Sequence, residues 1–290
     1  MNNAFKNDIK LSIIIPHKND FGNLKRLIKT IPDQKQLEVI IVDDGSDPEK
    51  FNFLLRDIEA RNVHIYSNET NLNNAGRSRN IGLNKAKGDW ILFADSDDIF
   101  TENALQAINK YFEAEADIVF FYATSIDDNS NKIADRHQEY CELLDNYRKS
   151  SSNHNEKMLR YRFFPPWAKI IRKKLILDHD IVFDEIPASN DIMFSLKVGF
   201  YARKIAIENT VIYCVTKHLN SLTATDDYQR LISRCQALID YNNFLRKNDN
   251  SNYIINGRPL VSRCLKLSTF LGVYRYFIFL INNTPVRIFI

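Results

Sequence analysis

Trp90-Ile91-Leu92-Phe93-Ala94-Asp95-Ser96-Asp97-Asp98 is the stretch on which the reading of this chain turns. An apolar run reads as a short buried strand, and three carboxylates crowd at its end. Like charges this close repel, and burying them costs roughly several kcal/mol per ion unless a cation or hydrogen-bond donors offset it. Hard carboxylate oxygens suit Mg2+ or Mn2+, and such an ion could hold a diphosphate. The same run also works as a solvated Asp-rich turn with an N-cap for a following helix. Its surroundings decide between the two.

Outward from that run, strand-like and helix-like segments alternate. Leu11–Ile15, Leu37–Val42, Val63–Tyr66 and Ile118–Tyr122 read as further strands. Asn23–Ile31, Pro48–Ala60, Ala75–Lys85 and Glu102–Phe112 read as helices between them. Largely apolar strands in a βαβα alternation predict an α/β fold, a mostly parallel sheet flanked by helices. Ligands of such sheets bind outside the carboxyl ends of the strands. The polar clusters Pro16–Asn19, Asp43–Asp47 and Asp95–Asp98 all fall there.

From Ile126 to Ser152 the sequence is polar and reads as an irregular excursion between lobes. A second block follows: Ala168–Ile171 as a strand, Lys173–Leu177 and Asp191–Tyr201 as helices, and Lys204–Ile207 with Val211–Val215 as paired strands. Tyr228–Lys247 reads as a long helix. The expected organisation is residues 1–125, residues 126–225 and a helical C-terminal extension over residues 226–290.

The 290 residues carry 39 Lys and Arg against 36 Asp and Glu, a net +3 too mild to imply nucleic acid. No acidic residue follows Asp249, whereas Arg258, Arg263, Lys266, Arg275 and Arg287 do. Cys141, Cys214, Cys235 and Cys264 are widely spaced, which argues against a zinc site or a disulfide framework and fits a reducing compartment. Without a signal-like apolar core or an unbroken apolar stretch of about twenty residues, the expected location is cytoplasmic. The basic, aromatic C-terminus could rest on an anionic membrane or dock as a core helix.

Individual motifs carry more than one reading. In Asp43-Asp44-Gly45-Ser46, one Asp suffices for an Asx-turn, and the second could accept from the ring N–H of a uracil. Asn73–Asn80 opens a helix whose N-terminus, with Arg77 and Arg79, suits an anion such as a diphosphate, or is a capped surface helix. Asp191, ahead of an apolar helix, is either a general base or a cap. Trp167, among Arg160, Arg162, Lys169, Arg172, Lys173 and Lys174, could bind a sugar face or a lipid headgroup. His218 could touch a phosphate or a metal.

Taken together, LSIIIPHKN (11–19), EVIIVDDGSD (38–47), NAGRSRNIG (74–82) and GDWILFADSDD (88–98) resemble the family-two glycosyltransferases of the GT-A fold found in bacterial polysaccharide synthesis. PPWAKIIRKKLI, SNDIMFSLKVGFYA and HLNSLT resemble the acceptor-side half of the same enzymes. The resemblance implies an inverting transferase that moves a sugar from a nucleotide-sugar, UDP-linked, to a glycan or lipid-linked acceptor. It places Pro16 and Lys18 in the nucleoside pocket, with His17-Lys18 departing from the usual Thr/Ala-Tyr. Asp44 falls at the base, Arg79 near base and phosphates, and Asp95 at the ribose or metal waters. Asp97 takes the metal position of a D-x-D signature for Mn2+ or Mg2+. Asp191 is the general base, preceded by Asn190 where Glu is usual, and His218 lies in a loop that closes over the donor. A nucleotidyltransferase is the rival, but Pro16–Phe21 lacks a Gly-rich phosphate loop. A non-catalytic sugar-binding scaffold is the other.

Overall fold

The computed structural model describes residues 8–47, 49, 62–69, 74–130, 132–217 and 228–260. The expected helix at 48–60 and the stretch 261–290 therefore lie outside the described residues. Strands β1 (Leu11–His17), β2 (Leu37–Asp43), β3 (Val63–Ser67), β4 (Trp90–Phe93), β5 (Ile99–Phe100), β6 (Ile118–Asp127), β7 (Lys169–Arg172) and β8 (Ile205–Lys217) form one sheet in the order β3-β2-β1-β4-β7-β6-β8-β5. β1 runs parallel to β2 and β4, with Ile13 opposite both Val39 and Leu92. β2 is parallel to β3, and β6 to β8. β7 is antiparallel to both β4 and β6, so it stitches the two expected halves into a single sheet.

β1, β2 and β4 are buried on both faces, which explains their near-continuous Ile, Val and Leu. Ser12 and Glu38 are paired there. Ser12 donates to Glu38 at 2.6 Å and accepts from the Gly88 N–H at 2.8 Å. Helices α1 (Phe21–Lys29), α2 (Ala75–Lys85) and α3 (Ala104–Asn109) belong to the first half; α3 is shorter than its expected span.

Two expectations are corrected. Residues 126–152 are no irregular excursion. β6 continues to Asp127, and α4 (Gln138–Lys149) follows, with α5 (Asn153–Arg162) directly after it. Tyr140, Leu143, Leu144 and Tyr147 sit at helical spacing and pack on the core, a stripe diluted by the charged residues around it. The two strands expected between Lys204 and Val215 are the single strand β8. Its register against β6 jumps from Phe121↔Glu208 to Tyr122↔Val211, so Glu208-Asn209-Thr210 is a bulge rather than a turn.

Helices α6 (Lys173–Asp178), α7 (Ile192–Tyr201) and α8 (Tyr228–Lys247) complete the second half. A second core joins Met193 and Leu196 of α7 to Leu238, Tyr241 and Leu245 of α8. Among the described residues no helix is long and apolar enough to cross a membrane. Truncating Leu144, fully buried on α4, should destabilise the protein by about 2–5 kcal/mol, while Ala at the exposed Glu142 should shift stability by under about 0.5 kcal/mol. Equal melting temperatures for the two variants would return 138–149 to the status of a loose excursion.

Candidate active site

The carboxyl ends of β1, β2 and β4 form one edge, and the acidic clusters meet there. At β2, the two aspartates divide their work. Asp43 accepts from the Ser46 N–H at 3.0 Å and from the Ser46 hydroxyl, closing a turn that Gly45 permits with φ 77°. Asp44 is left for the site. It is buried, its Oδ1 accepts from Asn68 at 2.6 Å, and its carbonyl accepts from Lys18 Nζ at 3.0 Å. Burial pushes the Asp44 pKa up, opposed by hydrogen bonds from the Asn74 backbone and Asn68 and by the Lys18 charge. Lys18 and Asp44 thus meet, as the sequence suggested, while His17 turns into the core against Phe21 at 5.1 Å. Pro16 sits beside them on β1, opposite Val42.

The Asp95–Asp98 turn after β4 is pinned from three sides. The Asp95 N–H donates to the Tyr213 hydroxyl of β8 at 2.8 Å, and Arg26 of α1 donates to the Asp97 carbonyl at 2.7 Å. Asp98, expected as a helix cap, is instead a buried anchor: its Oδ1 accepts from the Thr216 N–H at 2.7 Å. Burial first, and then the charges of Asp95 and Asp97, hold the Asp98 pKa well above the ordinary carboxylate value. Asp95 and Asp97 remain half-exposed at the crest.

Arg79 departs from its expected role as a hand for phosphates. It is 7% exposed, and Nη2 donates to Asp95 Oδ1 at 2.6 Å while Nη1 donates to Asn190 Oδ1 at 2.8 Å. Its guanidinium stacks 5.4 Å from the Phe183 ring centroid. It is a bridge between the acidic edge and the loop before α7. Gly76, three residues earlier on α2, allows that loop to approach, since a Cβ there would collide with the Asp184 carbonyl.

Asp191 stands at the N-cap position of α7, yet its side chain makes no capping hydrogen bond. Asp191 is half-buried, and burial raises the pKa of its carboxyl. The Arg79 charge opposes that shift most strongly, Asp95 adds to it, and Lys169 opposes it. A helix-cap reading is therefore set aside; the carboxyl accepts from its own backbone N–H and feels the charge of Asp95.

One further expectation changes. Trp167 is 7% exposed, its ring stacked on Tyr213 at 5.5 Å and set edge-on to Tyr140. The cations near it in sequence point elsewhere: Arg160 donates to the Ala202 carbonyl and Arg162 to the Tyr253 carbonyl. Trp167 is a core residue behind the site rather than a sugar platform. His218 lies outside the described residues. Sequence reasoning missed Tyr213, Arg26 and Asn68, because nothing in their local sequence shows what they reach across the fold.

Among the described residues, no group of three or more His, Cys, Asp or Glu is arranged as a metal cage. Mg2+-type ions are commonly held by one or two carboxylates plus substrate phosphates, and half-exposed Asp95 and Asp97 fit that donor set.

The glycosyl transferase family 2 model matches residues 12–179, more than half of the chain and the whole of the acidic edge. The chain belongs to glycosyl transferase family 2. It is 25% identical over 218 residues to the poly(ribitol-phosphate) beta-N-acetylglucosaminyltransferase TarS of Staphylococcus aureus, a match covering 72% of this chain and 36% of that protein. The chain thus spans about a third of that relative. It is 27% identical over 232 residues to glycosyltransferase GlyG of Streptococcus pneumoniae, covering 74% of this chain and 73% of that one. Crystalline S. aureus TarS 1–349 with UDP-GlcNAc superposes with a TM-score of 0.67 at 20% identity, covering 94% of this chain and 80% of that one. The family-2 chain therefore has the GT-A fold.

The raised pKa of Asp98 has a testable sign. The folded state holds that proton to higher pH than the unfolded state, so stability falls as pH rises from about 4 through the raised value. In Asp98→Asn the amide oxygen still accepts from Thr216 but cannot ionise. Its melting temperature relative to wild type should climb as pH rises above about 4. A difference independent of pH contradicts the assignment.

Proposed function

We propose that this family-2 chain transfers a sugar from a nucleotide-sugar, UDP-linked, to a hydroxyl of a glycan or lipid-linked acceptor, with inversion at the anomeric carbon. The observation that carries the reading is the half-buried carboxyl of Asp191, which makes no helix-capping hydrogen bond and whose neighbour Asn190 is joined through Arg79 to the Asp95–Asp97 turn. TarS was crystallised with UDP-GlcNAc and with UDP, which supports a uridine donor. Asp44, at the end of β2, is placed to accept from the base, with Lys18 beside it.

The acceptor hydroxyl approaches between Asp191 and the anomeric carbon. Asp191 takes its proton as the oxygen attacks, and the bond from the anomeric carbon to the diphosphate oxygen breaks on the opposite face. One base and one displacement give inversion. Arg79 keeps Asp95 and Asn190 in register during that step rather than entering it. A divalent ion, Mn2+ or Mg2+, held by Asp97 and Asp95 would offset the charge on the diphosphate; a mannosyltransferase of Pyrobaculum calidifontis with a TM-score of 0.55 was crystallised with GDP-Man and Mn2+. The proposed setting is the cytoplasmic face of a membrane, reached through the basic stretch beyond Asp249, in cell-surface polysaccharide synthesis.

The test is UDP release from a panel of nucleotide-sugars by wild type and by Asp191→Asn. The substitution should lower turnover by about 10²–10⁴-fold while leaving UDP affinity unchanged. Since burial raises the Asp191 pKa, the acid limb of kcat/KM should lie above 3.8. An Asp191→Asn enzyme of wild-type rate removes Asp191 as the base.

A further inference from the structure

Lys169 lies on β7, the strand that joins the two halves of the sheet, and is 2% exposed. A lysine is rarely placed so deep unless its ammonium is paired or hydrogen-bonded. Its Nζ donates to the Phe163 carbonyl at 2.8 Å and to Ser195 Oγ at 3.0 Å, and sits 5.3 Å from the Phe163 ring centroid. Ser195 belongs to the first turn of α7. Its hydroxyl donates to the Phe164 carbonyl at 2.5 Å, and its N–H donates to the Asp191 carbonyl at 2.9 Å. The lysine thereby clamps the turn that begins at Asp191 against the 163–164 segment.

Among the described residues no carboxylate makes an ion pair with Lys169, and Asp191 is the acid whose charge acts on it. The backbone is bent at both approaches. Ala168 immediately before Lys169 has φ 55°, and Ser189, two residues before Asp191, has φ 58°. Each such residue strains an L-chain, and strain of this kind collects where a fold must deliver side chains to one place.

We propose that Lys169 is a positioning residue for the base: it fixes the first turn of α7 through Ser195 and supplies a buried positive charge that favours the ionised carboxylate of Asp191. This rests on the reading of Asp191 as the base. Burial pushes the Lys169 pKa down to about 7, opposed by the Asp191 charge. Burial also raises Asp191, with Arg79 and Lys169 pulling it back. Other groups facing the pair are Asp95 after β4 and Tyr140 of α4, whose own pKa is raised by burial and by the charges of Glu139 and Asp191. Between the two titrations lysine and aspartate are both charged, and the protons belong to the pair.

The test compares wild type, Lys169→Met, Ser195→Ala and Asp191→Asn, using UDP release from the nucleotide-sugar of the panel turned over fastest, and calorimetry with UDP. Lys169→Met removes the charge and keeps the bulk. It should lower kcat about tenfold with donor KM within about twofold, and move the acid limb up by about one pH unit. Ser195→Ala keeps the charge and loosens the clamp, so kcat should fall a few-fold with the limb unmoved. An inactive Asp191→Asn together with a Lys169→Met enzyme whose kcat and acid limb match wild type overturns the proposal alone. An active Asp191→Asn overturns the base, and the proposal with it. Should Lys169→Met fail to fold, wild-type kcat in Ser195→Ala is the overturning result.

Discussion

A buried guanidinium cannot stand without acceptors, and Arg79 has found them on two separate parts of the chain. One Nη reaches Asp95 after β4; the other reaches Asn190 ahead of α7. Leaving a buried ion without its partner costs about 3–5 kcal/mol, so the distance between the acidic edge and the loop before α7 is not free to vary. The rest of the site inherits this constraint. Gly76 is required because α2 must lie against the loop that carries Asn190, and Phe183 must present its ring to the guanidinium. A single cation also moderates two acids, Asp95 by direct pairing and Asp191 through space.

Around that bridge the crowded aspartates separate into distinct tasks. Asp43 closes a turn, Asp98 ties the acidic turn to β8, and Asp95 is held by Arg79. Asp97 has its carbonyl held by Arg26 and its residue half-exposed at the crest. The repulsion that makes such a run costly is thus met by specific donors, with Asp98 relieved further by its tendency to stay protonated. The bases of this arrangement, Tyr213 and Arg26, are fixed by the core and by α1 rather than by the turn itself.

Much of the fold was legible because it rests on short-range pattern. The apolar runs at Leu11, Leu37 and Trp90 are buried on both faces and could hardly be anything but central strands. The positions of Asp44, Asp95 and Asp97 after strands and of Asp191 before a helix were legible because strand ends and helix starts are visible in sequence. The α4 helix was not, since its core stripe of Tyr140, Leu143, Leu144 and Tyr147 is thinned by charge. Trp167 and the cations beside it are neighbours in sequence but not in space: Arg160 and Arg162 diverge to backbone carbonyls while the ring stacks on Tyr213. Arg79 was placed at the site, but its bonds to Asp95 and Asn190 depend on pairings over 16 and 111 residues that no local signal encodes.

In the function proposed above, the edge formed by β1, β2 and β4 holds a nucleoside diphosphate through Asp97 and a divalent ion. Calorimetric titration of UDP into wild type and Asp97→Ala, each with and without Mn2+, addresses it most directly. Wild type should bind UDP more tightly with Mn2+, and Asp97→Ala should lose the Mn2+ enhancement while keeping its fold. No UDP binding by wild type in either condition, or an undiminished Mn2+ enhancement in Asp97→Ala, would contradict it.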